Sequence, residues 1–368
     1  MEIEVKQEKL AKALSSVSRV ATGSRGTLPI LSNVLIRVDN KKVSLTTTNL
    51  DMSVVDYLPV TQSKDGVVTV PAKLLAEFVS NLPRGEVVKI SVNDTKVTTE
   101  AGKYSSVING TVADDFPELP EIDEAKAVKF KVSIEDFKVG INQVIIASSN
   151  DMTRPALTGV YFNTADGALY IAATDGYRLA ERKFINKVTS EVKAIVPTSS
   201  LQEVMRSLSD DVEEIEIIFD DAQVRFILGE IEITSKLIYG SFPDYRQLIP
   251  KDNELKLELD RAELVRVTKL AALFAREVGG SITCEASVEK SALVVASVAN
   301  EFGENSSQIA ADVDKDAKVA LNSRFLNDAL NVLDDSKVTF EMSAKLSPVV
   351  LRSVKNQNYT HIIMPLKV

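Results

Sequence analysis

VPAKLLAEFVSNL at 70–82, VPTSSLQEVMRSL at 196–208 and LNSRFLNDALNVL at 321–333 are three versions of one amphipathic helix. Their final leucines, Leu82, Leu208 and Leu333, stand 126 and 125 residues apart. A second series keeps the same step: KVSLTTTN ends at Asn49, GALYIAATD at Asp175 and SALVVASVAN at Asn300. Pro29 of LPILSNVLI matches Pro155 of RPALTGVYF, and Phe116-Pro117 matches Phe242-Pro243; Met364-Pro365 closes the third unit slightly early. Several independent motifs sharing one spacing mean an internal repeat of about 125 residues. Units of that size are domains, not the short repeats of a solenoid, and each is long enough for its own core.

Around the repeated helix the pattern extends in both directions. Each is followed by a strand, VVKISV (87–92), VEEIEIIF (212–219) and KVTFEM (337–342). Each unit also opens with a helix of its own. EKLAKALSSVSRVA sets Leu10, Leu14, Val17 and Ala21 on one face, IEDFKVGINQVIIAS runs from Ile134, and RAELVRVTKLAALFAR sets Leu264, Val267, Ala271 and Phe274 on one face. Alternating strands such as those with Val43 and Leu45, or Leu169 and Ile171, follow these helices. Boundaries fall in the acidic stretch LPEIDEAKAV and at PKDNEL, giving domains 1–122, 128–250 and 251–368 of an α+β fold. Three similar domains in a row make an arc, and a head-to-tail contact between arcs closes a ring where the rotation permits.

Composition narrows the function classes. The chain has 368 residues, 45% apolar and 26% charged, as a soluble protein with proper cores has. One cysteine, Cys284, excludes a disulfide framework and fits a reducing compartment. With His361 as the one histidine, a zinc site of the usual ligands is excluded too. The N-terminus lacks the layout of a signal peptide and no apolar run reaches a membrane-spanning length, so the expectation is a cytoplasmic protein without a membrane partner. A net charge of −9 argues against a passive nucleic-acid coat, yet leaves DNA contact open where basic side chains are locally arranged.

No catalytic motif is present: no G-x-x-x-x-G-K-[ST], G-x-G-x-x-G, H-E-x-x-H or G-x-S-x-G. Asp175 in TDGYR has repeat counterparts Asn49 and Asn300, which points to a shared turn role rather than a metal ligand. His361 reads as structural. The chain reads as a non-enzyme with no metal and no cofactor. A protein-binding scaffold of three domains that does not encircle DNA, and an enzyme built on three similar domains, stay open at this point.

LPIL (28–31), ATDGYRL (173–179), SFPDYRQLIP (241–250) and HIIMPLKV (361–368) together resemble the beta sliding clamp of bacterial DNA polymerase III, over the whole chain and in order. That resemblance implies three tandem DNA-clamp domains, each of two helices packed on antiparallel sheets and together forming half of a closed ring. Two chains would close head to tail around duplex DNA without sequence specificity. The ring would tether the polymerase III catalytic subunit, the clamp loader and other proteins that carry a clamp-binding motif.

Three sets of residues follow. A basic stripe sits beside each apolar one: Lys12 and Arg19, then Lys138 and Arg206, then Arg266, Lys269 and Arg276. Sparse, sequence-blind attraction to phosphates is what sliding requires. The resemblance adds Arg25, Asn150 and Arg154 at the ring face, with Thr198 and Ser199 standing where some clamps are basic. It implies a partner-peptide groove walled by Leu157, Thr174, Gly176, Tyr177, Arg178 and Leu179, by Pro243, Gln247 and Leu248, by Phe325 and Pro348, and by Ile362, Met364, Pro365 and Leu366. Apolar clefts of this kind take the Leu and Phe anchors of short peptides. Tyr177 replaces a histidine common in the family and Gln247 a frequent arginine, which alters groove polarity. The ring-closing homodimer contact would join Lys73, Lys103 and Ile108 to Leu273, Phe274, Glu301 and Glu304, with Phe274 as its anchor.

Overall fold

The computed structural model describes every residue except 22–27, 120, 124, 210, 251–252, 300–302, 344–346 and 368, and the side chains of 277 and 278. Arg25, Asn300 and Glu301 therefore lie outside the described residues. Helices α1 (Gln7–Ser18), α2 (Ala72–Ser80), α3 (Ile134–Ile145), α4 (Thr198–Ser207), α5 (Arg261–Phe274) and α6 (Ser323–Val332) fall two to each repeat. Leu75, Leu201 and Leu326 hold the same position in α2, α4 and α6, and all are fully buried. The faces read from α1 and α5 are buried as expected, except that Phe274 is half-buried at the end of its helix. No described helix is long and apolar enough to cross a membrane.

One feature of the repeat differs from the sequence reading. Each repeat opens on a strand, not a helix: Glu2–Lys6, Val128–Ser133 and Leu255–Asp260 run directly into α1, α3 and α5. In the last, Leu255, Leu257 and Leu259 are buried while Lys256, Glu258 and Asp260 are exposed. Five or six residues of alternation ending at a helix start give too short a signal to separate from the helix that follows.

The chain forms two compact units, and neither is a whole number of repeats: Met1–Ile134 with Ser200–Leu237, and Glu135–Ser199 with Ile238–Val368. All strand pairing is antiparallel. The first unit holds an eight-stranded sheet in the order Val128–Ser133, Glu214–Phe219, Gln223–Leu228, Ile231–Lys236, Met52–Leu58, Lys42–Thr48, Asn33–Asp39, Gly66–Pro71. Half of the first repeat and half of the second thus share one sheet, joined where Ser53 pairs with Thr234. The unit's other sheet, of five strands, ends at Tyr104–Asn109.

The second unit repeats the plan. Its eight strands run Lys193–Pro197, Gly159–Ala165, Ala168–Thr174, Arg178–Ile185, Tyr359–Ile363, Val349–Ser353, Lys337–Met342, Leu255–Asp260. Here Leu179 pairs with Ile362, joining the second repeat to the third. Its four-stranded sheet begins at the edge strand Gly303–Ala310.

Each unit buries one titratable group in a way that ties stability to pH. In the second, His361 is fully buried, with Nδ1 at 2.9 Å from the Tyr359 hydroxyl, which lies 3.0 Å from the Gln143 carbonyl. Burial, reinforced by the Arg178 charge, lowers the His361 pKa to about 3, so the imidazole stays neutral as a structural group. In the first unit, burial lifts the Asp56 carboxyl to about 7, opposed by Lys12 and helped by Glu230.

Two outcomes follow. Leu201→Ala removes a fully buried side chain and is expected to lower unfolding stability by about 2–5 kcal/mol in urea titration. On acidification from pH 7 toward 5, the unfolded chain protonates His361 and the folded chain does not, so the second unit loses stability. Folded Asp56 binds a proton that the unfolded chain releases, so the first unit gains. Each change approaches about 2 kcal/mol. Hydrogen exchange resolved by peptide is expected to show the opposite trends, flattened by His361→Gln and Asp56→Asn respectively.

Candidate functional site

TDGYR forms a tight loop between two strands of the second unit. Asp175 Oδ1 accepts the backbone N–H groups of Tyr177 and Arg178 at 2.9 and 3.0 Å, and Thr174 Oγ1 donates to the Arg178 carbonyl at 2.7 Å. Gly176 sits at φ +91°, a conformation that a side chain would strain. In the first repeat Asn49 Oδ1 likewise caps the N–H groups of Asp51 and Met52. This is the turn role read from the sequence, and it leaves Asp175 holding backbone.

The loop presents two neighbours in opposite directions. Tyr177 is 64% exposed, while Arg178 is buried. The Arg178 guanidinium lies 4.4 Å from the Phe325 ring centroid and reaches Asp175 at 3.1 Å and Asp328 at 2.7 Å. Arg178 is thus a strut between the loop and α6 rather than a free cation. Beyond the last strand, the Met364 N–H donates to the Tyr177 carbonyl and the Leu366 N–H to Ala320, both at 2.8 Å, so the tail continues beside the loop.

Under this rim the sheet face is apolar. Ala172, Leu179, Tyr245, Val350 and Ile362 form one buried cluster, with Tyr161, Phe242 and Ile249 packed against it. FPDYR crosses the face and is clamped there. The Tyr245 hydroxyl donates to Glu181 at 2.5 Å, and Arg246 pairs with Glu181 while stacking 4.1 Å over Tyr170. Burial and the adjacent Glu181 push the Tyr245 phenol up, keeping it a neutral donor. Leu248 is 53% and Met364 38% exposed, and Pro243 and Gln247 stand at the surface.

Of the expected groove residues, Thr174, Gly176, Tyr177, Arg178, Leu179, Phe325, Ile362, Met364 and Leu366 are thus linked to one another directly or through the strand pairing. Leu157 is buried in the turn Pro155–Thr158, and Pro348 and Pro365 are half-buried. The sequence reading missed Tyr161, Tyr245, Val350 and Asp328. Tyr245 lay inside a motif already singled out; Asp328 carries no local signal, because its partner is 150 residues away.

The basic stripes divide. Lys12, Arg206, Arg266 and Lys269 are exposed on their helices and Lys138 is half-exposed on α3, while Asn150 and Arg154 are exposed on a loop. Arg19 is different. Its Nε lies 2.7 Å from the buried carboxylate of Glu203, and a terminal nitrogen lies 3.1 Å from Ser207 Oγ. Arg19 therefore ties α1 to α4 and is not presented to solvent as a free charge. The second oxygen of Glu203 lies 3.7 Å from Arg206, so the carboxylate faces two cations.

Tyr104–Asn109 and Gly303–Ala310 each form one edge of their sheet. On the first, Ile108 is buried and Val107 is 61% exposed. Tyr104 and Leu74 are exposed in the same unit, as are Lys73 and Lys103. In the other unit Leu273 is 54% exposed and Phe274 only half-exposed, so Leu273 is the outward member of that pair; Leu270, Val298 and Glu304 are exposed as well.

Comparison with known proteins places this arrangement. Models of the N-terminal, central and C-terminal domains of the DNA polymerase III beta subunit match residues 1–120, 131–244 and 246–367. The beta sliding clamps of Synechococcus elongatus and Staphylococcus aureus are each 30% identical, covering 100% of this chain and 99% of theirs. Among solved structures, a DNA polymerase sliding clamp from Pseudomonas aeruginosa superposes with a TM-score of 0.94 at 26% identity, covering 100% of both chains. One from Bacillus subtilis gives 0.93 at 27%, covering 100% of this chain and 99% of that one. The chain belongs to the DNA polymerase III beta subunit family, the beta sliding clamps.

Proposed function

We propose that two copies of this chain, each of three clamp domains bounded as 1–122, 128–250 and 251–368, close head to tail into a cytoplasmic ring around duplex DNA. The ring slides along DNA and tethers the polymerase III catalytic subunit, the clamp loader and other motif-bearing proteins. The family is a processivity factor without catalytic activity of its own.

One observation carries the reading. Met52–Leu58 in the first repeat pairs with Ile231–Lys236 in the second, and Arg178–Ile185 pairs with Tyr359–Ile363 in the third. By repeat position, the counterparts left without such a partner are Gly303–Ala310 and Tyr104–Asn109, each at the edge of its sheet. Pairing them between copies completes the pattern: each joint is heterologous, head to tail, and two such joints related by a two-fold rotation close the ring. The existing registers, Val54↔Ile233 and Ala180↔His361, predict that Asn305 faces Ser106. Ser106 Oγ and Asn305 Oδ1 are both buried without a hydrogen-bond partner, so each supplies what the other lacks. Val107, Tyr104, Leu74 and Leu273 provide the apolar part of the joint.

Inside the ring, Lys12, Lys138, Arg206, Arg266 and Lys269 supply a thin positive lining that attracts phosphates without reading bases. Asn150 and Arg154 meet DNA at the face. The groove around Leu179, Ile362, Met364 and Leu248 takes apolar peptide anchors, its direction set by the polar rim. Tyr177 in place of a histidine makes one wall a neutral aromatic.

Ser106→Cys combined with Asn305→Cys is expected to give a covalent dimer on mild oxidation, because directly opposed antiparallel residues lie within disulfide reach. A monomer on denaturing gels, with neither single variant behaving differently, would remove the proposed joint. Loaded onto nicked circular plasmid, the oxidised ring is expected to stay bound at high salt and to leave once the circle is cut. Equal retention on circular and linear DNA would count against encirclement. Met364→Ala with Leu248→Ala is expected to weaken binding of a Leu-Phe motif peptide about tenfold or more in fluorescence anisotropy, with DNA retention unchanged.

A further inference from the structure

One face of the eight-stranded sheet in the first unit carries a cavity of about 910 Å³, bounded on one side by Ala113, Phe116–Leu119, Glu121 and Ile122. That segment contains Phe116-Pro117, the repeat counterpart of Phe242-Pro243. It is anchored as a bridge, with Gln223 Nε2 donating to the Glu121 carbonyl at 2.6 Å and the Asp123 N–H reaching Asp220 at 3.2 Å. The cavity is therefore the first unit's equivalent of the apolar groove in the second.

Strand pairing fixes the correspondence. Leu179↔Ile362 and Val350↔Ile362 in the second unit match Ser53↔Thr234 and Arg225↔Thr234 in the first, and Ala172 matches Thr46. Four apolar groove positions have thus become three hydroxyls and an arginine. Thr46 and Ser53 are 4% and 3% exposed. Neither hydroxyl has a hydrogen-bond partner among the described residues. Both residues line the cavity, where their hydroxyls are available to a bound group.

The charges are arranged to the same end. Arg37, exposed on the strand Asn33–Asp39, has no ion-pair or hydrogen-bond partner among the described residues. Arg225, half-buried on Gln223–Leu228, spends only Nε, on Thr234 at 3.1 Å. The two strands are four steps apart in the sheet, about 19 Å at the usual 4.8 Å spacing. Glu232 stands half-buried and unpaired one strand from Arg225. About six extended residues cover that span.

We infer that this cavity binds an extended peptide lying across the strands, with an acidic side chain at each end on Arg37 and Arg225, its backbone over the buried hydroxyls, and a basic side chain near Glu232. Nucleic acid is a poorer match, because Glu118, Glu121 and Glu232 line the same cavity and would repel closely spaced phosphates. A clamp would thereby hold two peptide sites of opposite polarity on equivalent frames. A polar segment and an apolar one would then be sorted without competing. The cavity lies wholly within the first unit, so binding there does not depend on ring closure.

The test uses the full-length homodimer and a fluorescein-labelled peptide of about seven residues, with aspartate at each end, leucine at the centre and lysine next to last. Anisotropy is expected to show saturable binding, weakened about tenfold or more by Arg37→Ala with Arg225→Ala. Ser53→Leu with Thr234→Ile, which installs the other groove's residues, is expected to abolish it. Binding of a Leu-Phe motif peptide should be unchanged in both variants. Arg37→Ala alone, at an exposed position, provides a variant whose folding is not at risk and is expected to weaken binding several-fold. The inference is overturned by an absence of saturation at millimolar peptide, by equal binding of the charge-reversed peptide, by indifference to the Arg37 change, or by displacement with oligothymidylate at equal concentration.

Discussion

Everything in this fold depends on strand pairing that crosses repeat boundaries. Ser53 faces Thr234 and Leu179 faces Ile362 in continuous antiparallel sheets, so the hydrogen bonds that build a repeat also bind it to the next. A domain joined to its neighbour by a shared sheet is far stiffer than one joined by a linker. Backbone N–H and C=O groups at such a seam would otherwise be orphaned. The constraint also accounts for the way the compact units cut through the middle repeat: its two halves are each committed to a different sheet.

On that frame, chemistry is varied by side-chain choice alone. The sheet face beneath FPDYR in the second unit is lined by Leu179, Val350 and Ile362. The equivalent face in the first carries Ser53, Arg225 and Thr234. Helix surfaces vary in the same manner. Arg19 and Lys12 share one stripe of α1, yet Glu203 reaches across from α4 and converts only Arg19 into a brace. A cation whose charge is matched by a buried carboxylate contributes structure and little external field. The useful count of positive charge on these helices is thus smaller than the number of basic residues.

Much of this was legible in the residues themselves. A spacing of 126 and 125 shared by Leu82, Leu208, Leu333 and the Asn49 series gave three domains, because repeats preserve register even where identities drift. The helix faces of α1 and α5 were readable because an apolar stripe spaced at three and four residues marks a helix packed along one side. The opening strands were hidden by their brevity. The buried roles of Arg178 and Arg19 were out of reach for a different reason: Asp328 and Glu203 are 150 and 184 residues distant, and sequence carries no signal for an ion pair of that separation. The groove set came from resemblance, and only the geometry showed which members touch.

The interleaving has a consequence for the order in which the chain can mature during synthesis. Met52–Leu58 leaves the ribosome well before its sheet neighbour Ile231–Lys236 has been made. At ordinary translation speeds roughly ten to forty seconds separate the two. Through that interval the nascent first half presents a long unsatisfied edge, while neighbouring nascent chains on the same message offer matching strands. Correct assembly therefore requires that this edge stay unpaired until its own partner strand has been made.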